Sequence, residues 1–162
     1  MIIKKLMLIF IPVILLGSVT NAQKKALNLY WSGSREDNFT TGTTVGAESA
    51  IQAGYSFARV EGYVHSNQVN GTIPLKLYWS ASRSDNFVTA TEIGAKSAID
   101  ADYTFVRIEG YVYSKQISGT VPLKLYWSAD RGDNFTTATK IGAKSAVDAG
   151  YSFVRIEGYV FP

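Results

Sequence analysis

The segment from Leu75 to Val112 recurs from Leu123 to Val160 with 31 of 38 positions identical, and more loosely from Leu27 to Val64. Trp31, Trp79 and Trp127 mark a period of 48 residues without insertion or deletion. A fixed period of this length belongs to architectures in which one supersecondary unit is stacked or set around an axis, because a unit alone cannot bury its apolar face. Functional residues are therefore sought among those present three times. The reading is one domain over residues 23–162, made of repeats 27–74, 75–122 and 123–162, behind a signal peptide over 1–22.

The signal peptide is read from Lys4 and Lys5, the apolar run Leu6 to Leu16, and Thr20-Asn21-Ala22 before Gln23. The run is shorter than the about 20 residues of a membrane span, so a secreted or periplasmic protein with no span after signal removal is expected. Without Lys4 and Lys5 the balance is 14 basic against 13 acidic residues. A nucleic-acid binder carries a larger, clustered basic excess, and no nucleic-acid partner is expected. Cysteine is absent, so stability must come from the core, which 46% hydrophobic and 13% aromatic content can supply.

Within a repeat, alternation in Leu75-Lys76-Leu77-Tyr78-Trp79 predicts a strand with Leu75, Leu77 and Trp79 on one face and Tyr78 on the other. A turn over Ser80 to Ser84 leads to a short strand, Asp85 to Thr89. Thr91 is the predicted N-cap of an Ala-rich helix with an apolar side of Ala95, Ala98 and Ile99. The helix is expected to stop at Gly54, Asp102 and Gly150. A closing strand, Tyr103 to Val112, is predicted to bury Val106, Ile108 and Val112. The fold class is thus α+β and β-rich: three strand-strand-helix-strand repeats in a closed pseudo-threefold arrangement, with a β-trefoil-like fold as the alternative. Closure removes the sheet edges that an open array would expose.

Catalysis finds few candidates. His65 is the only histidine, so no Cys–His or Ser–His–Asp set can occur three times. Asp85 with Glu109, and their equivalents, form the one carboxylate pair available to a hydrolase. The competing reading pairs Glu109 with Arg107 or Arg83. A Ca²⁺ site within a single Ser-x-Asp-Asn turn has too few oxygens, so neither metal nor cofactor is expected. The favoured ligand site is the turn set Tyr30, Arg35, Asp37, Asn38; Tyr78, Arg83, Asp85, Asn86; and Tyr126, Arg131, Asp133, Asn134. Aromatic faces beside planar polar groups suit sugars. In this reading the tryptophans belong to the core.

At LYWS…R-x-DNF-x-TAT…GY-x-F-x-R-x-EGYV the chain resembles a secreted bacterial and fungal repeat, a domain of unknown function with a pattern like LYR-YNP-x-GDHFYTT…AGY-x-YEG-x-AFY. Gly132-Asp133-Asn134-Phe135 and Glu157-Gly158-Tyr159 match best, and Asn38, Asn86 and Asn134 stand where the family has His. Such repeats accompany secreted hydrolases and surface proteins, which implies an accessory or binding role. The expectation is a secreted, non-catalytic module recognising glycan or cell-surface polymer through three equivalent weak sites. A carboxylate-dependent hydrolase and a structural or protein-binding inhibitory domain are the alternatives. Oligomeric state is left open.

Overall fold

The computed structural model describes residues 23–162; the signal-peptide expectation falls on residues 1–22 and lies outside them. The first repeat comprises β1 (Lys24–Ser32), β2 (Asp37–Thr41), α1 (Thr44–Gln52) and β3 (Ser56–His65). The second comprises β4 (Thr72–Ser80), β5 (Asp85–Thr89), α2 (Glu92–Asp100) and β6 (Thr104–Tyr113). The third comprises β7 (Val121–Ser128), β8 (Asp133–Thr137), α3 (Lys140–Asp148) and β9 (Ser152–Val160). In each repeat the first strand is central, paired antiparallel with the short strand on one side and the closing strand on the other. The nine strands join in one antiparallel sheet. No helix among the described residues is long and apolar enough to cross a membrane.

Local chemistry sets the helix ends. The hydroxyls of Thr43, Thr91 and Thr139 accept from the amides of Gly46, Gly94 and Gly142, closing the N-termini. Gly54, Asp102 and Gly150 follow the helices with φ of 85°, 62° and 84°, the left-handed conformation that ends a helix. The helix buries only its small residues, Gly94 and Ala98 in α2, so that its backbone can lie close to the sheet. Ile99, expected on the apolar side, is exposed.

The closing strands depart from simple alternation. Leu75 pairs with Gly110 and Lys76 with Ile108, so Glu109 is an extra residue in β6. This bulge turns Glu109 and Gly110 both inward. Val112 is buried as expected, whereas Val106 and Ile108, which come before the bulge, are exposed. A second register shift, between Leu77 and Tyr78, leaves Val106 as another extra residue, so the parity changes twice and the predicted apolar face is broken.

The inward glutamates join different repeats. Glu109 Oε2 accepts from Thr41 Oγ1 at 2.6 Å, the Gly42 amide at 2.9 Å and Thr43 Oγ1 at 3.1 Å. Glu157 holds Thr89, Ala90 and Thr91 in the same way, and Glu61 holds Thr137, Ala138 and Thr139. The other carboxylate oxygen meets the arginine two residues earlier: Arg59, Arg107 and Arg155 place Nε 2.6–2.7 Å from Glu61, Glu109 and Glu157. The structural ion pair of Glu109 with Arg107 is therefore present.

Further contacts follow the same order. The short strands β2, β5 and β8 touch one another pairwise. His65, Tyr113 and Phe161, 48 residues apart, form three edge-on ring contacts with centroids 5.4–5.9 Å apart. Leu27, Leu75 and Leu123 with Val64, Val112 and Val160 lie in one apolar cluster. Gly110, with φ of 148°, packs where a Cβ would overlap Val64 of the first repeat.

Removing one partner of a buried, hydrogen-bonded charge pair costs about 3–5 kcal/mol. Glu109→Ala should therefore lower unfolding free energy by roughly that amount in a urea titration. Lys96→Ala, which breaks only the exposed pair with Asp100, should change it by less than about 1 kcal/mol. Equal effects would count against the interlock.

Candidate functional site

Two features arise where the repeats meet. The first is a cluster of Asp37, Asp85 and Asp133, each the first residue of a short strand. One oxygen from each lies within 4.8 Å of the others. All three side chains are buried, with 4%, 1% and 2% of their surface exposed. The Oδ2 atoms accept from the hydroxyls of Tyr55, Tyr103 and Tyr151, respectively. Asn38 Nδ2 also donates to Asp133 Oδ2, and Asn134 Nδ2 to Asp85 Oδ2, each at 2.8 Å. Each asparagine thus reaches the aspartate of another repeat. Burial pushes the carboxyls up from 3.8, Asp37 to about 6 and Asp85 and Asp133 to about 7; a neighbouring aspartate adds to the rise at Asp85 and Asp133, whereas the hydrogen bond with Asp133 restrains it at Asp37.

The second feature is a set of three pockets between repeats. Between the first and second, Arg35, Phe39 and Tyr55 face Leu77, Trp79, Asn86 and Arg107. Between the second and third, Arg83, Phe87 and Tyr103 face Leu125, Trp127, Asn134 and Arg155. Between the third and first, Arg131, Phe135 and Tyr151 face Leu29, Trp31, Asn38 and Arg59. Their volumes are about 260, 300 and 340 Å³, around the lower limit of about 300 Å³ for ligand sites. The guanidinium groups of Arg35, Arg83 and Arg131 sit 5.7–5.9 Å from the ring centres of Tyr55, Tyr103 and Tyr151. Arg59, Arg107 and Arg155 are already neutralised by glutamate.

The expected turn set divides. Arg35, Arg83 and Arg131 line the pockets, as do Asn38, Asn86 and Asn134, but each arginine meets the asparagine of the following repeat rather than its own. Tyr30, Tyr78 and Tyr126, expected to contact ligand, are 4–5% exposed and belong to the core. The second face of the strand is covered too: Tyr78 packs with Phe87, Ala98, Tyr103 and Leu125. Asp37, Asp85 and Asp133 lie in the buried cluster and not among the pocket-lining residues. Trp31, Trp79 and Trp127, read as core, are half-buried and form pocket walls. They share a face with Leu29, Leu77 and Leu125, but at the strand end that face opens between repeats. The sequence reading also missed Tyr55, Tyr103 and Tyr151, whose threefold recurrence was the available signal.

Asp85 and Glu109 occupy separate places. Asp85 clusters with Asp37 at the start of β2, whereas Glu109 binds Thr41 at its end. Four strand steps separate those places along β2, about 13 Å between backbone positions, and Glu109 is already engaged by Arg107 and three donors.

Residues 25–161 match the family described as a domain of unknown function, DUF5648. The chain belongs to that family. No curated protein and no solved structure matches it.

Raised carboxyl pKa values make a defined contribution to stability. The protonated cluster favours the folded state fully below about pH 4, and that contribution is lost as pH climbs through 6–7. In chelator, the melting temperature should fall between roughly pH 5 and pH 8. Asp85→Asn, which removes one titrating carboxyl, should flatten the decline. A wild-type melting temperature that rises across this window would contradict the assignment.

Proposed function

We propose that this chain is a secreted or periplasmic, non-catalytic module that binds glycan or cell-wall polymer through the three pockets between its repeats. The reading includes a closed pseudo-threefold body, in preference to a β-trefoil, because each repeat carries a helix and each hands its glutamate to a different repeat. The observation that carries it is the composition of each pocket: an indole, an aromatic floor, an asparagine amide and a guanidinium with no buried acid beside it. A sugar ring stacks its C–H face on an aromatic wall while planar polar groups pair with its hydroxyls. Three such sites on one rigid body gain strength on a repetitive polymer through effective concentration.

The sites are similar but not identical. Arg131 has Glu36 at 3.6 Å, whereas among the described residues no carboxylate lies within 4.0 Å of Arg35 or Arg83. Ser84 and Gly132 occupy the positions equivalent to Glu36. The pockets of Arg35 and Arg83 are therefore the stronger pair for ligands that accept hydrogen bonds.

A glycan array and cell-wall pull-down with residues 23–162 test the proposal. Trp79→Ala should weaken polymer binding several-fold, and the combined Trp31→Ala, Trp79→Ala and Trp127→Ala variant should abolish it while still melting cooperatively. Retained binding in a folded triple variant would overturn the pocket assignment. Turnover of any bound polymer by the wild type would favour the hydrolase.

A further inference from the structure

We propose that Asp37, Asp85 and Asp133 together bind one hard divalent cation, with calcium preferred, at the meeting point of the three repeats. A single turn offers too few oxygens for this, but the tertiary structure gathers three turns.

The arrangement has two independent parts. One oxygen from each carboxylate lies within 4.8 Å of the other two. Calcium–oxygen distances of about 2.3–2.6 Å keep any two ligand oxygens within about 5 Å of each other, and the cluster meets that bound. Magnesium is usually held by one or two carboxylates and keeps most of its water, so a set of three carboxylates favours calcium. The second part lies in how the carboxylate oxygens are used. Tyr55, Tyr103 and Tyr151 donate to the Oδ2 atoms, with Asn38 and Asn134 adding further donors. Outer hydroxyl and amide donors of this kind orient carboxylate ligands at metal centres. Meanwhile Asp37 Oδ1, Asp85 Oδ1 and Asp133 Oδ1 are each buried without a hydrogen-bond partner, on side chains more than nine-tenths buried. No lysine or arginine forms an ion pair with any of them among the described residues. Once ionised, buried acceptors with no donor outside the cluster are costly, and one shared cation would satisfy all three.

Carboxylate oxygens and water are hard ligands, which suits calcium or magnesium over softer metals. With three protein carboxylates and the rest of the shell left to water, affinity should fall in the weak range of extracellular modules, a Kd of about 10⁻⁴–10⁻³ M. The ion would tie three repeats together in a domain without disulfides.

The test uses residues 23–162, stripped with chelator and returned to buffer near neutral pH at constant ionic strength. Titration with calcium chloride should raise the melting temperature by several degrees and saturate at one ion per chain, with magnesium chloride less effective. Terbium should luminesce on tyrosine excitation, because three tyrosine hydroxyls touch the ligating carboxylates, and calcium should quench that signal. Asp85→Asn should lower calcium affinity at least tenfold. If that variant does not fold, stoichiometry and luminescence on the wild type still decide. No bound calcium at 10 mM, with melting unchanged by any of the three ions, would overturn the site and leave a cluster that shares protons. The outcome is independent of polymer binding, which is read in the pull-down.

Discussion

The buried glutamate of each closing strand is the interaction on which the remaining structure depends. Glu61, Glu109 and Glu157 are at most 1% exposed, and an isolated carboxylate at such depth would be prohibitive. Each is compensated by an arginine of its own strand and by hydroxyl and amide donors at the cap of a neighbouring repeat. A repeat alone can supply only the arginine. The second half of the compensation comes from outside, so the charge becomes tolerable only when the repeats are assembled. Folding of the three is thereby coupled through a polar contact as well as through the apolar cluster.

The same contact shapes the helices and the pockets. A Cβ at Gly46 would overlap Thr41 Oγ1 and lie 2.6 Å from Arg107 Nη2, so the glycine inside the first turn of α1 makes room for the neighbour's guanidinium. Gly94 and Gly142 do so for Arg155 and Arg59. Those three arginines also line the pockets. Stability and candidate binding surface are thus built from the same side chains, and changes at Arg107 will move both. The tryptophans are the cleaner probes, since they belong to the pocket walls.

Tyr55, Tyr103 and Tyr151 connect the pockets to the aspartate cluster. Each lines a pocket with its ring and donates its hydroxyl to an aspartate. Asn38 and Asn134 do the same with their amides. A ligand pressing on these rings meets groups already held by the cluster, so the pocket floor is preorganised. A cation at the cluster would stiffen all three floors together.

The order of elements within a repeat, the threonine caps, the helix stops and the arginine–glutamate pair were legible in the sequence because each rests on patterns within a few residues. The 48-residue period likewise assigned equivalent roles to residues far apart in the chain. What it could not convey is which equivalent residues meet. The aspartates looked like surface ligands beside their own arginine, yet the short strands pack against one another and bury them together. Tyr78 and Trp79 exchanged expected places because a helix covers one face of the strand while a neighbouring repeat leaves a gap at the other. Ile108 was misassigned because the bulge at Glu109 reverses the parity of alternation, and that bulge exists to deliver a carboxylate to another repeat. Local hydrogen bonding and periodicity are encoded residue by residue; the sites at the boundaries came from long-range packing, which no single repeat contains.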